Sequence, residues 1–172
     1  MINNNEIKAL VYLLDDEDGE VSQHVEQRIL SLGTTAIPYL EAEWESNFNP
    51  IMQHKIEDLI HELQFTLFEE RLLTWKNGGA MDLLEGMWIL ATYHYPDLEI
   101  DKLKASIHQL YTDIWVQFQD EMSPVEKIKR INSIFFDIHK FAANTKNFHS
   151  PTNSMINVVL ESRKGNPITL CV

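Results

Sequence analysis

The sequence predicts an all-α protein. Three observations carry that reading: apolar residues recur three or four positions apart along most of the chain, helix starts and stops punctuate them, and no stretch shows a clear strand pattern. With 172 residues, 44% of them hydrophobic, the chain is long enough to bury a core as one domain or two small ones.

Ile7, Leu10, Val11 and Leu14 mark a short first helix that ends in the acidic run 15–20. Val21, Val25, Ile29 and Leu32 form the stripe of a second helix, stopped by Gly33. Thr34 or Thr35 caps a third, which runs through Ile37, Leu40 and Trp44. Short helices with one apolar stripe each resemble a HEAT-like hairpin, which buries its face by stacking on a neighbour, and residues 1–47 are read as such a region. After a break at 47–50, a long helix spans 51–75 with Ile56, Leu59, Ile60, Leu63, Leu67, Phe68 and Leu72 on its buried face, until Asn77, Gly78 and Gly79 end it. A helix over 80–93 is built around Leu83, Leu84, Met87, Trp88 and Ala91, and Pro96 breaks the chain beyond it. Leu103, Ile107, Leu110, Ile114 and Phe118 then define a helix over 98–119, completing a helical middle, 48–122. Ser123 and Glu126 form a capping box with Pro124 at the first helical position, and Ile128, Ile131, Phe135 and Ile138 carry that helix to about residue 140. A polar loop occupies 142–149.

Two further helix starts come in quick succession. Ser150 before Pro151 is the first, with Met155, Ile156, Val159 and Leu160 as its stripe and Arg163, Lys164 and Gly165 as a cationic end and left-handed stop. Asn166 before Pro167 is the second, and Ile168, Leu170, Cys171 and Val172 open an apolar helix with no stop signal. One turn does not repay its own nucleation, so the expectation is that tertiary contacts hold it or that more chain lies beyond; residues 123–172 read as truncated.

The pattern N-S-x-x-N-x-V-L-E-x-R-K-G-N-P-I-T-L, from Asn153 to Leu170, resembles the entrance to the core of the SirB-type branch of bacterial transglutaminase-like proteins. Ser123-Pro124-Val125-Glu126-Lys127-Ile128, Tyr93-His94-Tyr95-Pro96-Asp97-Leu98 and Leu13-Leu14-Asp15-Asp16-Glu17-Asp18 stand in the family's order. The resemblance implies that 123–172 are the first helices of a transglutaminase-like core, with Asn153, Asn157, Arg163 and Asn166 as motif positions and binding candidates. That superfamily works by a Cys-His-Asp arrangement, its cysteine at a helix N-terminus where partial positive charge favours thiolate, its His and Asp on later strands. The family's nucleophile aligns near Asn166 or Pro167. Cys171 lies one turn on, ~6 Å along the axis at ~1.5 Å per residue. With Leu170 and Val172 beside it, Cys171 is read first as a small hydrophobe on a buried face, and as a catalytic nucleophile in the alternative.

Other constellations yield less. His54, Asp58 and His61 fall at helical spacing, but without a fourth ligand they read as a solvated stripe and not a metal site. The acidic run fails as a calcium loop, since with Gly19 at position 6 the first and twelfth positions are Leu14 and Val25. His94 is assigned to a turn and His149 to a cap or to the surface facing further core. No cofactor is expected. A formal charge of −12 opposes nucleic acid and anionic membranes, no apolar run is long enough to span a bilayer, the polar N-terminus lacks a secretory pattern, and a single cysteine suits a reducing cytoplasm. The expected partner is protein, with Trp44 and Trp75 read first as buried packing residues and as contact anchors in the alternative. The functional expectation is a helical interaction or regulatory module, non-catalytic as it stands. The alternative is a Cys-dependent acyl-transfer or amide-hydrolysing enzyme whose His and Asp lie beyond residue 172.

Overall fold

The computed structural model describes residues 4–16 and 18–171 of an all-α chain. The chain divides into two compact units, Met1–Arg71 and Leu72–Val172, with the boundary inside one long helix.

The first unit holds α1 (Asn4–Leu13), α2 (Gly19–Ser31), α3 (Ile37–Ser46) and most of α4 (Pro50–Asn77). Their stripes converge on Ile7, Leu14, Ile29, Leu40 and Ile56, all fully buried. Asp18 caps α2 by accepting the Glu20 amide at 2.9 Å, and Asp16 accepts the Asp18 amide at the same distance. These acids therefore serve local backbone donors; Glu17, part of the same run, lies outside the described residues. The Leu14 carbonyl, orphaned at the end of α1, accepts Lys55 Nζ at 2.6 Å and Ser22 Oγ at 3.1 Å. Gly33, at φ +68°, stops α2 as the sequence indicates. Neither threonine caps α3. Thr35 Oγ1 instead donates back to the Leu32 carbonyl at 2.9 Å, and a 3-10 turn over Gly33–Ala36 leads into the helix.

In the second unit, α5 (Leu83–Thr92) starts on Asp82, whose side chain accepts the Glu85 amide at 3.0 Å. Trp75 Nε1 donates to the Asp82 carbonyl at 2.8 Å, and the indole lies against Gly86, where a Cβ would come within 2.6 Å of the ring. Trp75 is thus a packing residue of this unit. α6 (Ile100–Trp115) and α8 (Ile156–Ser162) complete the core, in which Ala91, Leu103, Leu110, Phe141, Ile156, Val159 and Leu160 are buried.

α7 (Pro124–Asn132) begins with the expected capping box. It does not stay α-helical to residue 140. From Ser133 to Ile138 the chain winds as a π-helix, with the His139 amide donating to the Ile134 carbonyl at 2.8 Å, five residues back. The wider turn buries Ile134, and Lys140 in a left-handed conformation (φ 62°) ends it, so that Phe141 returns to stack on Phe135 at 4.2 Å.

The polar loop contains a two-residue strand, β1 (Ala142–Ala143), paired in parallel with β2 (Lys164–Gly165). Strands this short carry no periodicity, which is why the pairing is invisible in the sequence. The helix start at Ser150 is also displaced. Pro151–Ser154 form a 3-10 turn, Ser150 makes no capping bond, and α8 begins only at Ile156. At the other end of α8, the left-handed residue is Arg163 (φ 59°) and not Gly165. Gly165 has a different reason to be glycine: a Cβ there would sit 3.0 and 3.1 Å from the two Val159 methyls.

Candidate functional site

Two of the three asparagines that mark the sequence motif, Asn153 and Asn166, are spent on holding the loops around β1 and β2. Asn153 is 3% exposed, and all its side-chain polar groups are used. Its Nδ2 donates to the Asn147 carbonyl at 2.8 Å and the Phe148 carbonyl at 3.0 Å, while its Oδ1 accepts Asn144 Nδ2 at 2.8 Å. One buried amide thereby ties together three loop groups, the Asn147 carbonyl also accepting the Ser150 amide at 3.1 Å.

Asn166 is the N-cap of α9 (Pro167–Cys171). Its Oδ1 accepts the Thr169 amide at 2.9 Å, and its Nδ2 donates to Ser154 Oγ at 2.8 Å. Thr169, 7% exposed, places its hydroxyl 2.8 Å from both Asn166 Oδ1 and the Asn153 carbonyl. One hydroxyl proton serves both acceptors in turn. These bonds answer how a single helical turn is held: polar contacts to the preceding loop supply what helix propagation does not.

The inward residues of α9 are therefore Thr169 and, in part, Leu170. Cys171 is exposed, which corrects its reading as a buried small hydrophobe. At ~100° per residue, two positions turn the side chain ~200° around the axis, so a buried Thr169 directs Cys171 away from the core. Val172 lies outside the described residues.

Asn157 and Arg163 behave differently. Both line a cleft of about 480 Å³ between α6 and α8, floored by the buried Leu103, Leu110 and Leu160 and edged by Lys102 and His139. Asn157 Oδ1 is sealed from solvent and no donor reaches it. The half-buried Arg163 guanidinium rests 4.8 Å from the centroid of the Phe141 ring and has no carboxylate partner among the described residues. His139 Nε2 lies 3.1 Å from Asp113 Oδ2, an arrangement produced by the π-helical turn and with no signal in the sequence. The four motif positions thus divide: Asn153 and Asn166 build the frame, and Asn157 and Arg163 keep unused polar groups beside a cavity.

α7 is a second feature, with an uncovered apolar face. Val125, Ile128 and Ile131 form one apolar stripe, 61%, 58% and 37% exposed, and no residue of the helix is buried. Lys127 and Lys129 flank the stripe, with Arg130 beyond. Along α6 and the turn after it, the rings of His108, Tyr111, Trp115 and Phe118 succeed one another at centroid distances of 6.3, 5.8 and 6.1 Å, and Tyr111 and Trp115 are mostly exposed.

In the first unit, His54 lies 3.6 Å from Glu57 and 4.0 Å from Asp58, all well exposed, and no group of three potential ligands among the described residues is placed to hold a metal ion. Trp44 donates through Nε1 to Glu57 at 3.0 Å. His94 sits in the turn after α5, its amide donating to the Ala91 carbonyl at 3.1 Å, while His149 packs edge-on against Phe148 at 5.3 Å. Among the described residues, no helix is long and apolar enough to cross a membrane.

No solved structure matches the chain. Two curated relatives do, the UPF0162 proteins of Xylella fastidiosa strains Temecula1 and 9a5c, each 31% identical over 114 residues, or 62% of this chain. The match spans 40% of the length of those relatives. Residues 101–172, which contain the cleft-lining helices, the asparagine frame and α7, are similar to the transglutaminase-like superfamily, whose family model they match.

Proposed function

We propose that this chain acts by binding, as a helical protein-interaction module of transglutaminase-like type, with α7 as its contact face. The observation that supports it is the uncovered stripe of Val125, Ile128 and Ile131 on a helix that buries no residue. Monomeric proteins rarely leave a contiguous apolar helix face open, and each isoleucine covered by a partner contributes about 1.5–3 kcal/mol. Lys129 beside the stripe and Lys127, which reaches over the Phe118 ring at 5.8 Å, make the rim of that face cationic and favour a protein surface with an apolar centre and carboxylates at its edge. The HEAT-like character of residues 1–47, the SirB-type affinity of 153–170 and a cytoplasmic setting, suggested by the single cysteine, belong to the same proposal.

The test is capture of acidic partners by the full chain and by Ile128→Glu, with helicity checked by circular dichroism. Loss of a salt-sensitive partner in the variant, with the fold retained, supports the reading. An identical set of captured proteins refutes it.

One observation favours the second reading, a Cys-dependent enzyme: the Cys171 thiol is exposed, so access is not the obstacle that burial would have been. Its alkylation rate relative to a free thiol at the same pH decides. An accelerated rate supports a nucleophile, and parity removes it.

A further inference from the structure

We infer, on the α7 reading proposed above, that the partner of this helix is a second copy of the chain, which receives α7 in the acid-rimmed cleft of its first unit.

Charge is divided unevenly along the chain. Residues 1–71 hold fifteen acidic and four basic side chains, whereas residues 72–172 hold eleven acidic and ten basic. Nearly all of the formal charge of −12 therefore belongs to the first unit. The sign reverses towards the other end, where residues 123–172 carry seven basic side chains and three acidic ones. Within α7, Lys127, Lys129 and Arg130 stand against one carboxylate, that of Glu126, which is held by Ser123 in the capping box. Copies of such a chain attract one another acidic end to basic end and repel like ends.

The first unit also offers an apolar seat. A cleft of about 600 Å³ lies between the end of α1 and the segment 47–52, with the buried Val11 and Met52 among its lining. Tyr12, on its wall, is 83% exposed, and Phe48, between the lining Asn47 and Asn49, is 95% exposed. Asp15, Asp16 and Glu43 stand around the same cleft against one cation, Lys8. Asp16 keeps its charge while it accepts the Asp18 amide. An amphipathic helix that lays its apolar face in a groove, with its charged flanks on a rim of opposite sign, is a recurring mode of recognition. The stripe of Val125, Ile128 and Ile131 with its cationic edge is the complement of this cleft in both respects. Every solution of the chain thus contains both halves of the contact. Because two different faces meet, the contact runs head to tail, closing reciprocally as a dimer or extending to larger species.

Sedimentation velocity of the full chain tests this, from about 1 to about 300 µM and at about 50 and about 500 mM salt. Ile128→Glu blocks the helix, and the double variant Asp15→Lys, Glu43→Lys blocks the cleft. Tyr12→Ala, a truncation of an exposed side chain, blocks the cleft without changing its charge, and so keeps the test valid should the double variant fail to fold. Circular dichroism checks each. The wild-type mass is expected to rise with concentration, with association at least about tenfold weaker in high salt. Each blocked protein alone is expected to associate at least about tenfold more weakly than wild type. A mixture of helix-blocked and cleft-blocked proteins is expected to associate more strongly than either alone, since the first keeps an intact cleft and the second an intact α7. A wild-type chain that stays monomeric throughout, folded cleft variants that associate as wild type does, or a mixture without rescue overturns the inference. The α7 reading falls separately. It stands if the chain is monomeric but Ile128→Glu loses a foreign acidic partner, and it falls together with this inference if Ile128→Glu associates and captures as wild type does.

Discussion

Gly165→Ala is the sharpest test of how the asparagine frame is packed. Gly165 is buried in β2, where its carbonyl accepts the Asn144 amide at 3.1 Å. The added methyl would meet Val159 Cγ1 at 3.0 Å, Cγ2 at 3.1 Å and Leu170 Cγ at 3.4 Å. Val159 is 2% exposed, and its branched side chain is nearly locked at χ1 in a helix, so neither methyl can swing aside. The backbone of β2 must move instead, straining its bridge to β1. Overpacking of this kind costs about 1–3 kcal/mol. For a unit of this size, ~1 kcal/mol lowers the melting temperature by ~4–8 °C. Urea unfolding monitored by tryptophan fluorescence measures the loss. Val159→Ala, which makes room, serves as the partner in a double-mutant cycle. Alone it destabilises by leaving a cavity, but combined with Gly165→Ala the total falls short of the sum by about 0.5–3 kcal/mol. Additive effects, or an unchanged urea midpoint in Gly165→Ala, refute the packing argument.

Asn153→Asp destabilises more than Asn153→Ala at neutral pH, because a carboxylate would face the Asn147 and Phe148 carbonyls in place of the donor that now serves both; thermal melts of the two variants give the order. Gly86→Ala drives a methyl against the Trp75 ring, and a red-shifted, less structured indole emission with a lower melting temperature is expected. Glu126 has its carboxyl held below the ordinary carboxylate range, first by the hydrogen bond from the Ser123 side chain and then by that from its backbone amide. With a depressed folded-state pKa, the cap's contribution is present above the ordinary carboxylate value and is lost as pH falls through the depressed one. Ser123→Ala moves the Glu126 titration upward by NMR and frays α7; an unmoved titration contradicts the assignment.

The helices of the two cores were legible because they bury a stripe at a fixed spacing: Ile7 and Leu14, Ile29, Leu40, and Leu103 with Leu110 are inward as their periodicity indicates, whereas the equally periodic stripe of α7 is exposed. The capping box at Ser123 and the left-handed Gly33 were legible for the same local reason. The features hidden from sequence reasoning depend on distant partners. The π-turn after Asn132 leaves no mark on a periodic apolar run, and the β1–β2 bridge pairs residues far apart along the chain. Arg163, and not the neighbouring glycine, takes the left-handed backbone, because Gly165 is needed for its missing side chain against Val159. The motif singled out Asn153, Asn157, Arg163 and Asn166 together. Only hydrogen-bond geometry divides them into frame and cleft. Cys171 was misread because an apolar neighbourhood in sequence says nothing about which side of a one-turn helix faces inward.

The measurement closest to the central proposal is affinity of the full chain and of Ile128→Glu for a captured acidic partner, read across ionic strength. The account predicts binding that weakens with salt and falls at least about a hundredfold in the variant, with circular dichroism unchanged. Equal affinity for both proteins, or no specific partner above background, contradicts a role for α7 as the contact face.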